Sequence, residues 1–170
     1  CPTFNEASRL PLLIADLNLS PYNFELHIID GGSTDLTVLI SSLAGAKVSK
    51  TCEPNRGKQL KNGAIKSTGE WLMFLHSDSR LPKEWFKRVQ TIINNSNSSK
   101  FAWFFDFKVN KRNLEFYILE KAVSIRSYLF KRPYGDQGLL ISKKLYEHVG
   151  GFKEIPIMED LDFIIRLNKE

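Results

Sequence analysis

GEWLMFLHSDSRLP, residues 69–82, carries an apolar run from Trp71 to Leu75 straight into His76, Ser77 and Asp78, and the stretch closes on Pro82. A short continuous apolar run between turn signals reads as a buried strand. The polar triplet then sits at the strand's C-terminal end, which is where open α/β sheets bind ligands. A second reading stands level on this stretch alone: Asp78 caps a helix that starts near Pro82.

Upstream of this stretch, strand and helix alternate. Ser8 can cap a helix to about residue 17, where Pro11 falls in the first turn and costs no helical hydrogen bond. Residues 24–29 read as a strand ending at Asp30, and DGGSTD turns the chain into a helix over 35–43, with Ser33 or Thr34 as its cap. A short strand over 47–51 and a helix over 58–66 precede the central strand. Such alternation predicts an α/β fold with a mostly parallel sheet covered by helices.

Downstream the pattern loosens. A helix is expected over 83–94, the polar run NNSNSSK at 94–100 as a surface loop, and FAWFFDFKV at 101–109 as a strand with both faces covered. Leu114, Tyr117, Ile118, Ala122, Ile125 and Leu129 fall on one helical face. RPYGDQGLLIS then runs from a glycine-flanked loop into a strand, KKLYEHVGGF forms a short helix closed by glycine, and IPIMEDLDFIIRL leads a loop into a final helix.

The 170 residues suit one domain with a sizeable core, and a formal charge of +5 suits anionic partners such as nucleotides or phosphates. Two cysteines, Cys1 and Cys52, build neither a four-cysteine zinc site nor a disulfide framework, so a reducing, cytoplasmic setting is expected. No apolar run approaches the length of a membrane span. The opening CPTFNEA, with no strand before it, and a C-terminal helical period still running at residue 170 together suggest a chain trimmed at both ends.

Taken singly the motifs are weak, but their order is specific. PTFNE, IIDGGSTD, NRGKQLKNGA, FLHSD, GGF and MED together resemble the family 2 glycosyltransferases, inverting enzymes of the GT-A fold, and most of all the subgroup called radical-SAM/selenodomain-associated transferase 2. The resemblance implies one GT-A domain over 1–170, with a nucleotide-binding half at 1–80 and an acceptor-binding half at 81–170. It implies transfer of a sugar from a nucleotide-diphosphate donor to an acceptor hydroxyl. A divalent metal, Mg²⁺ or Mn²⁺, would stabilise the departing diphosphate, and a carboxylate would take the acceptor's proton.

Carried over residue by residue, the resemblance makes Asp78 the metal ligand and Asp160 the catalytic base, with Glu159 beside it. His76 stands where relatives have the first Asp of a D-x-D motif. Thr3, Asn5, Glu6 and Asp30 fall on the nucleoside loops, and Gly31 replaces a second Asp found in many relatives. Arg56 and Lys58 match a basic loop near the base and diphosphate. Tyr134, Asp136 and Gln137 are the acceptor-side candidates.

Many relatives of the resembled family act on lipid-linked acceptors, and Lys111, Arg112, Lys121, Arg126, Lys131 and Arg132 crowd the helix expected at 114–130. Contact with an anionic membrane face is one reading, and a core helix with a solvated basic face is the other. His76 and Gly31 also favour an alternative function: a nucleotide-sugar-binding protein of the same fold that has lost activity. A nucleic-acid-binding domain would need a basic stripe with exposed aromatics, whereas most aromatics here fall at buried-type positions. A dinucleotide-dependent dehydrogenase is disfavoured, since no expected strand is followed by G-x-G-x-x-G.

Overall fold

A computed structural model describes residues 1–106 and 137–169. The elements run β1 (Pro2–Thr3), α1 (Leu10–Leu17), β2 (His27–Asp30), α2 (Thr37–Leu43), β3 (Lys47–Lys50), α3 (Arg56–Lys66), β4 (Trp71–Phe74) and α4 (Trp85–Ile93). A 3₁₀ turn (Ser96–Lys100), β5 (Ala102–Phe104), β6 (Leu139–Ser142), α5 (Lys143–His148) and α6 (Glu159–Leu167) follow. The helix expected at 114–130, its basic flanks, Tyr134 and Asp136 lie outside the described residues.

The first half is parallel, as the alternation requires. Pro2 pairs with Ile29, and His27 to Asp30 pair with Lys47 to Lys50, in the order β1-β2-β3. The second half is antiparallel: β6 lies between β4 and β5, with Trp71 opposite Ser142 and Ala102 opposite Ile141. The expected parallel pairing is thus found in the β1-β2-β3 sheet, and the β4-β6-β5 sheet is antiparallel. The strand opened by GLLIS returns alongside β4 in the reverse sense, which helix periodicity upstream does not signal.

Local chemistry explains the helix ends, and it departs from expectation at three of them. Ser8 does not cap α1; the Glu6 carbonyl accepts from the Arg9 and Leu10 N–H groups instead. Neither Ser33 nor Thr34 caps α2; Asp35 Oδ1 accepts from Thr37 N at 2.9 Å. Helix α4 begins at Trp85 with no side-chain cap, so Asp78 is not its capping residue. The Asn94–Lys100 loop also winds into the 3₁₀ turn, with Asn95 accepting from Asn97 N.

Leu10, Leu13, Ile14 and Leu17 form the buried stripe of α1, at the spacing of one helical face. The main core lies between β4, β6, α3, α5 and α6, where Phe74, Tyr146, Phe152 and Phe163 stack with ring centroids 4.9–5.7 Å apart. Strand β4 is buried on one face only: Leu72 and Phe74 enter this core, while Trp71 and Met73 are half-buried. Trp71 and Met73 help line an apolar cavity of about 510 Å³ between the two sheets, together with Leu13, Ala64 and Trp85. None of the candidate site residues among the described residues lines it.

Candidate functional site

The C-terminal ends of β1, β2 and β4 and the N-terminal ends of α3 and α6 carry the candidates. At β1 and β2 two loops zip together. Asn5, in the left-handed region at φ 54°, donates its N–H to Ser33 Oγ at 2.8 Å and accepts from Thr34 N at 2.9 Å. Glu6 N donates to Thr37 Oγ1 at 2.8 Å, and Ala7 N to Asp35 Oδ2 at 3.0 Å. PTFNE and DGGSTD therefore form one rim, tied by side chains that face both loops. The Thr37 hydroxyl on Asp35 holds that exposed carboxyl below the usual carboxylate range.

Asp30 organises the rim from below. It is fully buried and accepts from Gly32 N at 3.0 Å, Ser33 N at 2.9 Å, the Ser33 hydroxyl and the Thr3 hydroxyl. Beneath the same strand ends, buried Gln59 donates from Nε2 to the Thr3 carbonyl at 2.9 Å and the Ile29 carbonyl at 2.7 Å. Gly31 has no room for a side chain: a Cβ there would lie 2.9 Å from Pro54 Cα and 3.1 Å from Pro54 Cβ. The second carboxylate of the resembled pattern is thus displaced by the Pro54 ring.

Beyond β4, His76 is half-buried and Asp78 is exposed on the loop that follows. That loop is anchored by Asp16, a residue the motif reading missed. Arg80 donates to Asp16 from Nε at 2.7 Å and Nη2 at 3.0 Å, Leu81 N donates to Asp16 Oδ2 at 2.9 Å, and Trp85 Nε1 donates to the Asp16 carbonyl at 2.9 Å. The Arg80 guanidinium holds the Asp16 carboxyl below its ordinary range despite its burial. A carboxylate beside the buried stripe of α1 was the available signal.

The acidic pair opens α6. Met158, its N-cap, sits in the left-handed region at φ 64°, an uncommon conformation for a bulky residue. Glu159 is fully buried, and Asp160 retains 13% side-chain exposure. Arg56, at the start of α3, donates from Nε to Glu159 Oε1, and its Nη2 stands 3.6 Å from Asp160 Oδ2. His76, Glu159 and Asp160 line one small cavity floored by Leu75, Phe104 and Leu139, so the end of β4 and the start of α6 converge.

The remaining candidates fall around this core. Lys58 is half-buried on the first turn of α3, its N–H accepted by the Asn55 cap at 2.9 Å. Gln137 is buried and closes the β5–β6 ladder: its carbonyl accepts from Phe105 N at 3.0 Å, and its Nε2 donates to the Phe105 carbonyl.

Among the described residues no group of three or more His, Cys, Asp or Glu side chains is placed to hold a metal ion. A single exposed carboxylate fits a cation that takes most of its ligands from water and phosphate oxygens, the usual habit of Mg²⁺. The residues present thus suit a metal that arrives with a diphosphate.

Comparison with known proteins gives the family and the fold. The chain matches the family Glycosyl transferase family 2 over residues 1–148. It is 26% identical to an uncharacterized glycosyltransferase of Haemophilus influenzae, covering 99% of this chain and 60% of that protein. The chain thus spans about three-fifths of that relative's length. Among solved structures it resembles S. aureus TarS 1-349 in complex with UDP, at a TM-score of 0.76 and 21% identity over 98% of this chain and 53% of that one. It also resembles glucosyl-3-phosphoglycerate synthase from Mycobacterium tuberculosis in complex with Mn²⁺, UDP-glucose and phosphoglyceric acid, at a TM-score of 0.66 and 16% identity over 96% of this chain and 61% of that one. These likenesses identify the fold as that of the GT-A glycosyltransferases.

Proposed function

Because this chain belongs to glycosyl transferase family 2, we propose that it forms the catalytic domain of an inverting glycosyltransferase, moving a sugar from a nucleotide-diphosphate donor to an acceptor hydroxyl. One observation carries the reading: His76 from the end of β4 and the acidic pair of α6 line the same small cavity. A donor anchored beside Asp78 would therefore present its anomeric carbon towards Asp160.

The donor's nucleoside lies on the rim of Thr3, Asn5, Glu6 and the Asp30 turn, with Lys58 facing the diphosphate. Asp78 is the protein ligand of a divalent cation, which when bound stabilises charge on the departing diphosphate. The acceptor oxygen attacks the anomeric carbon as the bond to the diphosphate breaks, and its proton passes to the Asp160 carboxylate. Glu159, buried beneath, keeps that carboxylate at the mouth of the cavity. Residues 1–80 serve the donor and residues 81–170 the acceptor. The radical-SAM/selenodomain-associated subgroup is the placement its FLHSD, YGDQG and MED segments support.

Mn²⁺ and UDP-glucose in the glucosyl-3-phosphoglycerate synthase complex support a metal and a nucleotide sugar here. No helix among the described residues is long and apolar enough to cross a membrane. The acceptor side includes Tyr134 and Asp136 and can rest on a membrane face, as the basic residues around 111–132 allow. A nucleotide-sugar binder without turnover is the second reading, favoured by His76 in a metal-motif position and by the Pro54 ring filling the space above Gly31. Hydrolysis of UDP- and GDP-sugars, with and without Mn²⁺, separates the two. Metal-dependent release of nucleotide supports the enzyme, and metal-dependent binding with no release supports the binder.

A further inference from the structure

Several contacts converge on the stretch that presents the acidic pair. Gly57, next to Arg56, is pressed so close that a Cβ would meet the Lys153 carbonyl oxygen at 2.1 Å and the Ile155 carbonyl oxygen at 2.7 Å. One turn along α3, Lys61 pairs with Glu154 at 2.8 Å. From the other side Lys153 reaches Asp162 at 2.8 Å, and Arg166 donates to the carbonyls of Val149 and Gly151, each at 2.6 Å. Between these clamps lies Met158, whose left-handed backbone persists only where its surroundings over-determine it.

Arg56 belongs to this set of clamps. A guanidinium is a planar fork that can address two carboxylates at once, and here its Nε faces Glu159 while its Nη2 faces Asp160. The Glu159 carboxylate is fully buried, and its Oε2 makes no hydrogen bond among the described residues, so it depends on Arg56 for a counter-charge. Asp160, one residue on, is partly open; its Oδ1 accepts from Leu161 N at 2.8 Å, and its Oδ2 is the oxygen that faces Arg56.

We infer that Arg56 is a positioning residue for the base: bound to buried Glu159, it fixes the Asp160 carboxylate at the mouth of the cavity, and it does not ligate the donor. The inference rests on the assignment of Asp160 as base. It departs from a donor-side role for Arg56, because its Nε and Nη2 are already turned to two protein carboxylates.

The test compares Arg56→Gln, Arg56→Lys and the double variant Arg56→Gln/Glu159→Gln. The double variant removes the buried charge together with its partner and so guards against misfolding. Turnover is measured at saturating donor, and affinity for UDP or GDP, whichever the wild type binds more tightly, by calorimetry with Mn²⁺. In all three variants kcat is expected to fall about 100-fold, the scale of an ångström-sized misplacement, with nucleotide Kd within about twofold of wild type. A Kd weakened about tenfold with kcat retained would return Arg56 to the donor and overturn the inference, as would full kcat in the double variant. Absence of turnover in the wild type contradicts the transferase reading instead. The pairing is then read from thermal unfolding of Arg56→Gln, Glu159→Gln and the double variant: a double-variant Tm loss smaller than the sum of the two single losses is expected, and additive losses overturn the inference.

Discussion

Asp160 and Glu159 are neighbours in sequence with opposite environments, one partly open and the other fully buried on Arg56. The open carboxylate is the one that can meet a substrate proton. Asp160→Asn keeps size and removes basicity, so kcat should fall by about 100- to 10,000-fold while nucleotide affinity is retained, because a general base acts in the transition state. Steady-state kinetics beside calorimetry check this; equal losses in both would make Asp160 a binding or structural residue. Asp78, Asp160 and Asp30 are candidates legible in the sequence through the motifs that resemble the family's. The sequence does not tell what Asp30 touches: four hydrogen bonds from its own turn and from Thr3 are a property of the folded rim. Nor does it pair Arg56 with Glu159, since a contact 103 residues apart leaves no local pattern.

Among the elements, α1 holds the Asp78 loop through Asp16. The Asp16 carboxyl is depressed in the folded state by the Arg80 guanidinium, so its contribution is present above the ordinary Asp value near about 3.9 and is lost as pH falls through the lower folded value. Asp16→Asn should cost about 1–2 kcal/mol at neutral pH, and denaturant melts at descending pH should show the gap to wild type closing in acid. A gap independent of pH would mean that the charge is not what holds the loop. Helix α3 offers a second test at its first turn. In Gly57→Ala the new methyl meets backbone oxygens that cannot swing aside, and the variant should lose about 2–3 kcal/mol and shift the stretch at 153–158. A wild-type Tm would show that α3 does not bear on that stretch. Helix existence was legible from apolar spacing, as Leu10, Leu13, Ile14 and Leu17 illustrate. Helix starts were less so: the Glu6 carbonyl and Asp35 cap α1 and α2, where Ser8 and Ser33 or Thr34 offered hydroxyls of equal propensity.

For the whole molecule, the pairing of β2 with β3 could be read from strand and helix alternating between residues 24 and 66, because the crossover is written in the chain, whereas the two-residue β1 carries no such pattern. The antiparallel half could not, because β6 pairs with β4 and β5 across long loops that carry no register signal. Helix α3 joins the rim of β1 and β2, through Gln59, to the acidic start of α6, through Arg56, and His76 after β4 lines one cavity with that acidic start. That convergence is the central claim, and nucleotide binding linked to metal through Asp78 is its most direct consequence. A ligand that binds only the native state must raise its apparent stability. The decisive measurement is therefore thermal unfolding of wild type and Asp78→Asn with UDP, GDP, CDP or dTDP, each with and without Mn²⁺. At least one nucleotide is expected to raise the wild-type Tm more with Mn²⁺ than without, and Asp78→Asn to abolish the metal-dependent part. A wild type indifferent to all four nucleotides, or an Asp78→Asn variant with the full Mn²⁺-dependent shift, would contradict that claim.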